Sequence, residues 1–81
     1  MNNVRIGKEI YKCMYNFDES CNYLIAFEEY GEKYVIPCQN YFEFAESLNE
    51  VYSNNKSKIV ECYVKYDEKW EIIDEWWDYL G

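Results

Sequence analysis

Period-two alternation organises the first half of the chain. From Ile10 to Phe17, the residues Tyr11, Cys13, Tyr15 and Phe17 fall on one face and Lys12 and Asn16 on the other, the pattern of a half-buried strand. The polar run Asp18-Glu19-Ser20-Cys21-Asn22 reads as a turn. Tyr23 to Tyr30 forms a second strand, Gly31-Glu32 a tight turn, and Lys33 to Ile36 a third strand. Pro37 ends that strand, because proline gives a ladder no N–H donor. These segments predict a meander of three antiparallel strands.

The period changes after Pro37. Asn40 is a good N-cap, and Glu43 lies three residues on, the spacing of a capping box. Tyr41, Phe44, Ala45, Leu48, Val51 and Tyr52 then recur at helical intervals as one apolar stripe, with Glu43, Glu46, Asn49 and Glu50 opposite. The predicted helix runs from Tyr41 to Ser53 and gives way to the polar loop Ser53-Asn54-Asn55-Lys56-Ser57. Lys58 to Tyr66 alternates again, with Val60, Cys62, Val64 and Tyr66 set against Glu61 and Lys65. Asp67-Glu68-Lys69 turns the chain, Trp70 to Ile73 returns as a strand, and Asp74 to Leu80 closes with a helical turn. Trp70, Ile73, Trp77 and Leu80 also match helical spacing, so period alone leaves strand and helix both open over the tail. The predicted architecture is α+β: two layers, β-β-β-α-β-β, with one helix packed on an antiparallel sheet of about five strands. Residues 1–81 form a single domain, because two cores would each bury too little surface.

Charge narrows the classes of partner. Sixteen carboxylates against eight basic residues give a net charge of −8, and Arg5 is the one arginine. Phosphate contacts need clustered Lys and Arg, so direct binding to nucleic acid or to an anionic membrane is not expected. The longest apolar run, Tyr23 to Phe27, is far too short to span a bilayer. The opening residues Met1 to Lys8 carry no apolar segment of a secretory signal, and the expectation is a cytoplasmic protein. Cys13, Cys21, Cys38 and Cys62 form no C-x-x-C pair, and no histidine is present to complete a zinc site. They read as four reduced thiols, mostly buried as small hydrophobes.

Little in the chain performs chemistry. Without histidine there is no Ser-His or Cys-His nucleophile and no general base of the commonest kind. The three glycines are scattered, so no phosphate-cradling loop forms. Cys38 precedes the helix, but its apolar flank predicts a packed thiol rather than an activated one. Paired acids remain, at Glu28-Glu29 and Asp74-Glu75, and carboxylate chemistry needs a partly dry cleft that so small a domain rarely offers. No catalytic residue, metal or cofactor is expected.

Binding fits the residues better. On the helix, Glu43, Glu46 and Glu50 make a ridge about 10 Å long at 1.5 Å per residue, a scale close to that of a nucleic-acid backbone. In the tail, Glu71, Asp74, Glu75 and Asp78 flank Trp76-Trp77, two neighbours that cannot both point fully inward. Large amphipathic rings beside charge favour protein-binding hot spots. These nine residues are the expected partner-binding set. The leading expectation is an inhibitor that masks a basic, nucleic-acid-handling protein, immunity- or antitoxin-like or of the phage anti-defence kind, with nucleic-acid mimicry as the means. The alternative is an adaptor that oligomerises through an aromatic sheet face bearing some of Tyr11, Tyr15, Tyr23, Tyr30, Tyr34, Tyr63 and Tyr66. A small carboxylate-dependent enzyme is the weaker third reading. Monomer and homodimer are both compatible with the sequence.

Overall fold

In the computed structural model, which describes residues 3–13 and 20–81, the elements follow one another as β1 (Asn3–Ile6), β2 (Glu9–Cys13), β3 (Tyr23–Glu29), β4 (Glu32–Cys38), α1 (Tyr41–Ser53), β5 (Ser57–Tyr66) and β6 (Lys69–Ile72). A 3-10 turn at Trp76–Tyr79 ends the chain. The class is α+β, with one helix on one sheet, as the alternation and the helical stripe imply. Asn40 caps α1 by accepting from the Glu43 N–H at 2.9 Å.

The sheet has six strands and is mixed, in the order β1-β2-β4-β3-β5-β6. The extra strand is Asn3–Ile6, which turns at Gly7, held at a φ of 63°, and pairs antiparallel with β2. β2 then lies parallel to β4, with Lys12 opposite Tyr34 and Cys13 opposite Val35, so the first strands are not a meander. Such a non-local pairing leaves no mark on local alternation. Tyr15, Phe17 and the first two residues of the polar turn, Asp18 and Glu19, lie outside the described residues.

Three boundaries move for local reasons. The β3–β4 turn is Tyr30-Gly31, both at positive φ, and Glu32 already pairs with Glu29. That geometry is the two-residue primed turn, whose backbone twist matches the strands it joins. Pro37 lies inside β4, opposite Leu24, because the described pairing with β2 ends at Val35 and an open edge tolerates proline. In β5 the register with β3 shifts between Ala26 and Phe27, leaving Val60 as the extra residue of a bulge. Simple alternation puts Val60 with Cys62; the bulge instead sends Ile59 to the Cys62 side and leaves Val60 exposed.

Two cores result. Between α1 and the sheet lie Ile25, Cys38, Phe44, Leu48 and Cys62, with Tyr23 stacked on Phe44 at 4.8 Å. On the opposite face, Val4, Tyr11, Cys13, Cys21, Leu24, Ala26, Val35 and Tyr63 form a second buried cluster, against which Ile6 and Trp70 pack. Tyr11 on β2 and Tyr63 on β5 meet there although two strands separate them, so the sheet curls around this core. This face is therefore not an open aromatic surface: Tyr11 and Tyr63 are buried, whereas Tyr30 and Tyr66 are exposed at turns.

The tail returns over the helix side. Ile73, Trp76, Tyr79 and Leu80 pack against the core there. Tyr79 meets Phe44 at 5.5 Å and Tyr41 at 5.7 Å, and Trp76 meets Tyr52 at 6.3 Å. The tail is thus strand to Ile72 and then a 3-10 turn. Among the described residues no helix is long and apolar enough to cross a membrane.

Candidate protein-binding surface

The helix and the tail form the outer layer on one side of the sheet, and the expected binding residues belong to it. Helical geometry distributes them. At 3.6 residues per turn, Phe44, Leu48 and Val51 point into the core and are buried. Tyr41 and Tyr52 lie on one flank, against the tail. Glu43, Glu46 and Glu50 run along the other flank, and Phe42 points outward between the two.

Each acid has a distinct setting. The Glu43 carboxylate accepts from the N–H of Gln39, the residue before the cap, at 2.8 Å, so it helps to hold the helix start as well as carrying charge. Glu46 is exposed. Glu50 stands at a groove of about 190 Å³ whose walls include Phe27, Ile36 and Val51. Glu71 alternates with Trp70, which packs on the opposite core, and so projects from β6 on the helix side. Asp74, Glu75 and Asp78 line a second groove, of about 420 Å³, with Ile73 and Tyr79. The two acidic segments therefore do not merge into one ridge. They flank the helix.

Between them stands a row of rings. Phe42 is 73% exposed, Tyr52 61%, Tyr41 55% and Trp77 54%. Trp76 turns inward, and its ring meets that of Trp77 edge-on at 5.6 Å, so the adjacent tryptophans divide between core and surface. The apolar stripe places Tyr41 and Tyr52 inside; they occupy its exposed border instead. Phe42 is missing from the expected binding set. Its signal is present in the sequence, as an aromatic residue set nearly opposite Phe44, Leu48 and Val51.

Charge is segregated along the chain. Residues 34–55 and 70–81, which hold most of β4, α1, most of β6 and the tail, carry seven acids and no Lys or Arg. The remaining nine acids and eight basic residues nearly balance. The two ion pairs among the described residues, Lys12–Glu32 at 2.5 Å and Lys33–Glu9 at 2.6 Å, both join β2 to β4.

All four cysteines are buried, and none is in a disulfide. Burial pushes the Cys38 thiol up to about 11 and the Cys62 thiol up to about 12, the opposite of what a nucleophile needs. Burial also raises Tyr11 and Tyr63, and the Glu61 carboxylate beside Tyr63 raises it further. Among the described residues no three acids or thiols converge as metal ligands. Comparisons with known protein families, with characterised proteins and with solved structures return no match.

Proposed function

We propose that the chain is an inhibitory binding protein that masks the basic surface of a nucleic-acid-handling protein, in the manner of an immunity or antitoxin-like protein or a phage-type anti-defence protein. The segregation of charge carries this reading. Solubility favours both signs interspersed, whereas here two segments, 34–55 and 70–81, hold seven acids and no cation. The helix forgoes the i,i+4 ion pairs worth about 0.2–0.5 kcal/mol each and has no basic residue in its last turn. A feature that weakens the fold and exceeds the needs of solubility is expected where a partner uses it. Four buried thiols fit the reducing cytoplasm, the compartment this reading assigns.

Recovery of the partner from the native host, followed by association kinetics, tests the proposal. The partner is expected to be basic. Association is expected to slow steeply between about 0.1 M and 1 M salt, as the Debye length falls from ~10 to ~3 Å. Charge reversal at Glu46, Glu50 and Asp78 is expected to slow it in the same way. A recovered complex indifferent to both changes excludes the masking mode. Self-association through an aromatic sheet face gains no support from the buried Tyr11 and Tyr63, and a monomer by light scattering is expected.

A further inference from the structure

The exposed rings give the surface a chemical preference that charge alone does not. Elsewhere on the molecule, rings within reach of a cation hold one. The Lys65 ammonium lies 5.1 Å from the Trp70 ring and that of Lys56 lies 5.9 Å from the Tyr30 ring. Tyr41, Phe42, Tyr52 and Trp77 sit instead in segments that contain no Lys or Arg. Carboxylates stand beside two of them. Phe42 precedes Glu46 by one helical turn, which sets both on one face of the helix, and Trp77 adjoins Asp78.

A guanidinium uses both features at once. Its plane stacks on a ring face, while its edge donates paired hydrogen bonds to a carboxylate. An ammonium is compact and strongly hydrated, and gains mainly from the carboxylate. Resting on the reading of a basic partner, we infer that this surface selects arginine over lysine. The occupant is a basic protein surface whose arginines stack on Phe42 and Trp77 and pair with Glu46 and Asp78. Net charge steers the encounter, and the rings choose the residue type.

Two peptides of equal length and charge test this, one rich in arginine and the other with lysine at every arginine position. Each is titrated calorimetrically against the full chain at about 0.15 M salt. The arginine peptide is expected to bind about threefold tighter per ring engaged, on the order of tenfold in all. Phe42→Ala and Trp77→Ala, both at exposed positions, are expected to remove most of that preference, lowering the arginine peptide's affinity by more than the lysine peptide's. Circular dichroism checks that both variants remain folded. Equal affinity for the two peptides overturns arginine selection and leaves masking of a basic partner standing. A preference that survives both substitutions overturns the assignment to these rings. If neither peptide binds even at about 0.05 M salt, arginine selection falls, and the masking reading is judged by recovery of its own partner.

Discussion

The hydroxyl of Tyr63 on β5 donates to Glu61, two residues back along the same strand, and meets the hydroxyl of Tyr11 from β2. With the Tyr63 proton committed to the carboxylate, Tyr11 is the donor of the second bond. The small side chain of Ala26, buried in the same cluster, leaves room for the two rings to close over the middle of the sheet. Tyr63→Phe strands the buried Tyr11 hydroxyl, and an unsatisfied buried donor costs about 1–3 kcal/mol. Tyr11→Phe leaves the Tyr63–Glu61 bond in place and is expected to cost about 1 kcal/mol. The double substitution leaves no orphaned hydroxyl. Urea denaturation is expected to show it less destabilised than the sum of the singles; strict additivity would falsify the link.

This pair also marks where local sequence stops being informative. The helix was legible because its signals are local: the cap at Asn40, the reply from Glu43, and a stripe with helical period. Five of the six strands were legible as strands for the same reason; the four-residue β1 was not. Their arrangement was not, because the parallel contact of Cys13 with Val35 depends on which strand arrives beside β2. Nor does alternation reveal a bulge, so Ile59 and Val60 exchange faces. Tyr11 is a candidate surface residue only while the sheet is taken as open on one side. The division of Trp76 and Trp77 between core and surface was readable from their adjacency. The exposure of Phe42 was equally readable, from its angle on the helix.

The β5–β6 hairpin turns at Asp67-Glu68, with φ of 48° and 66°. Primed turns favour glycine at the second position, because a side chain in the left-handed region costs roughly 1–2 kcal/mol. Glu68→Gly is expected to stabilise the protein by about 0.5–1 kcal/mol once the looser unfolded chain is set against that gain. For a domain of this size that is a rise in Tm of about 2–8 °C. Glu68→Ala removes the same charge but keeps a Cβ at positive φ, so calorimetry should show no comparable gain. If both variants stabilise equally, relief of charge repulsion is the cause and not the backbone.

Alkaline pH should weaken the fold before it ionises the native thiols. The ordinary thiol pKa is 9.0, and burial pushes Cys38 up to about 11 and Cys62 up to about 12. Below about pH 9 both states keep their protons and the full stability is present. Above it the unfolded chain releases protons that the native state retains, so stability falls by about 1.4 kcal/mol per pH unit for each thiol. The loss continues until the native pKa values are passed. Tyr11 and Tyr63, both raised above 10.0, steepen the decline further. Urea midpoints are expected to drop clearly between about pH 8 and 10.5. Cys62→Ala should start lower, from its cavity, yet fall with a shallower slope; an unchanged slope removes Cys62 from the account.

Glu50 sets stability against binding most directly. It lies in the last turn of α1, where the helix dipole favours a positive charge, and four residues after Glu46, a like charge on the same flank. Glu50→Lys reverses both penalties. The new ammonium pairs with the Glu46 carboxylate in the favourable i,i+4 order and places a cation at the C-terminal end. The free protein is expected to gain about 0.5–1 kcal/mol, read as a higher urea midpoint. Binding should move the other way. The substitution puts a cation into a segment that has none, beside the groove formed with Phe27, Ile36 and Val51. Association with a basic partner is expected to slow by about tenfold at low salt, with the difference shrinking as salt rises. Glu68→Gln, which neutralises an acid at the β5–β6 turn, is the control and should leave the rate nearly unchanged. If the Glu50 variant binds as well as the parent, the helix flank is ordinary solvated surface, and the partner must be met by the tail.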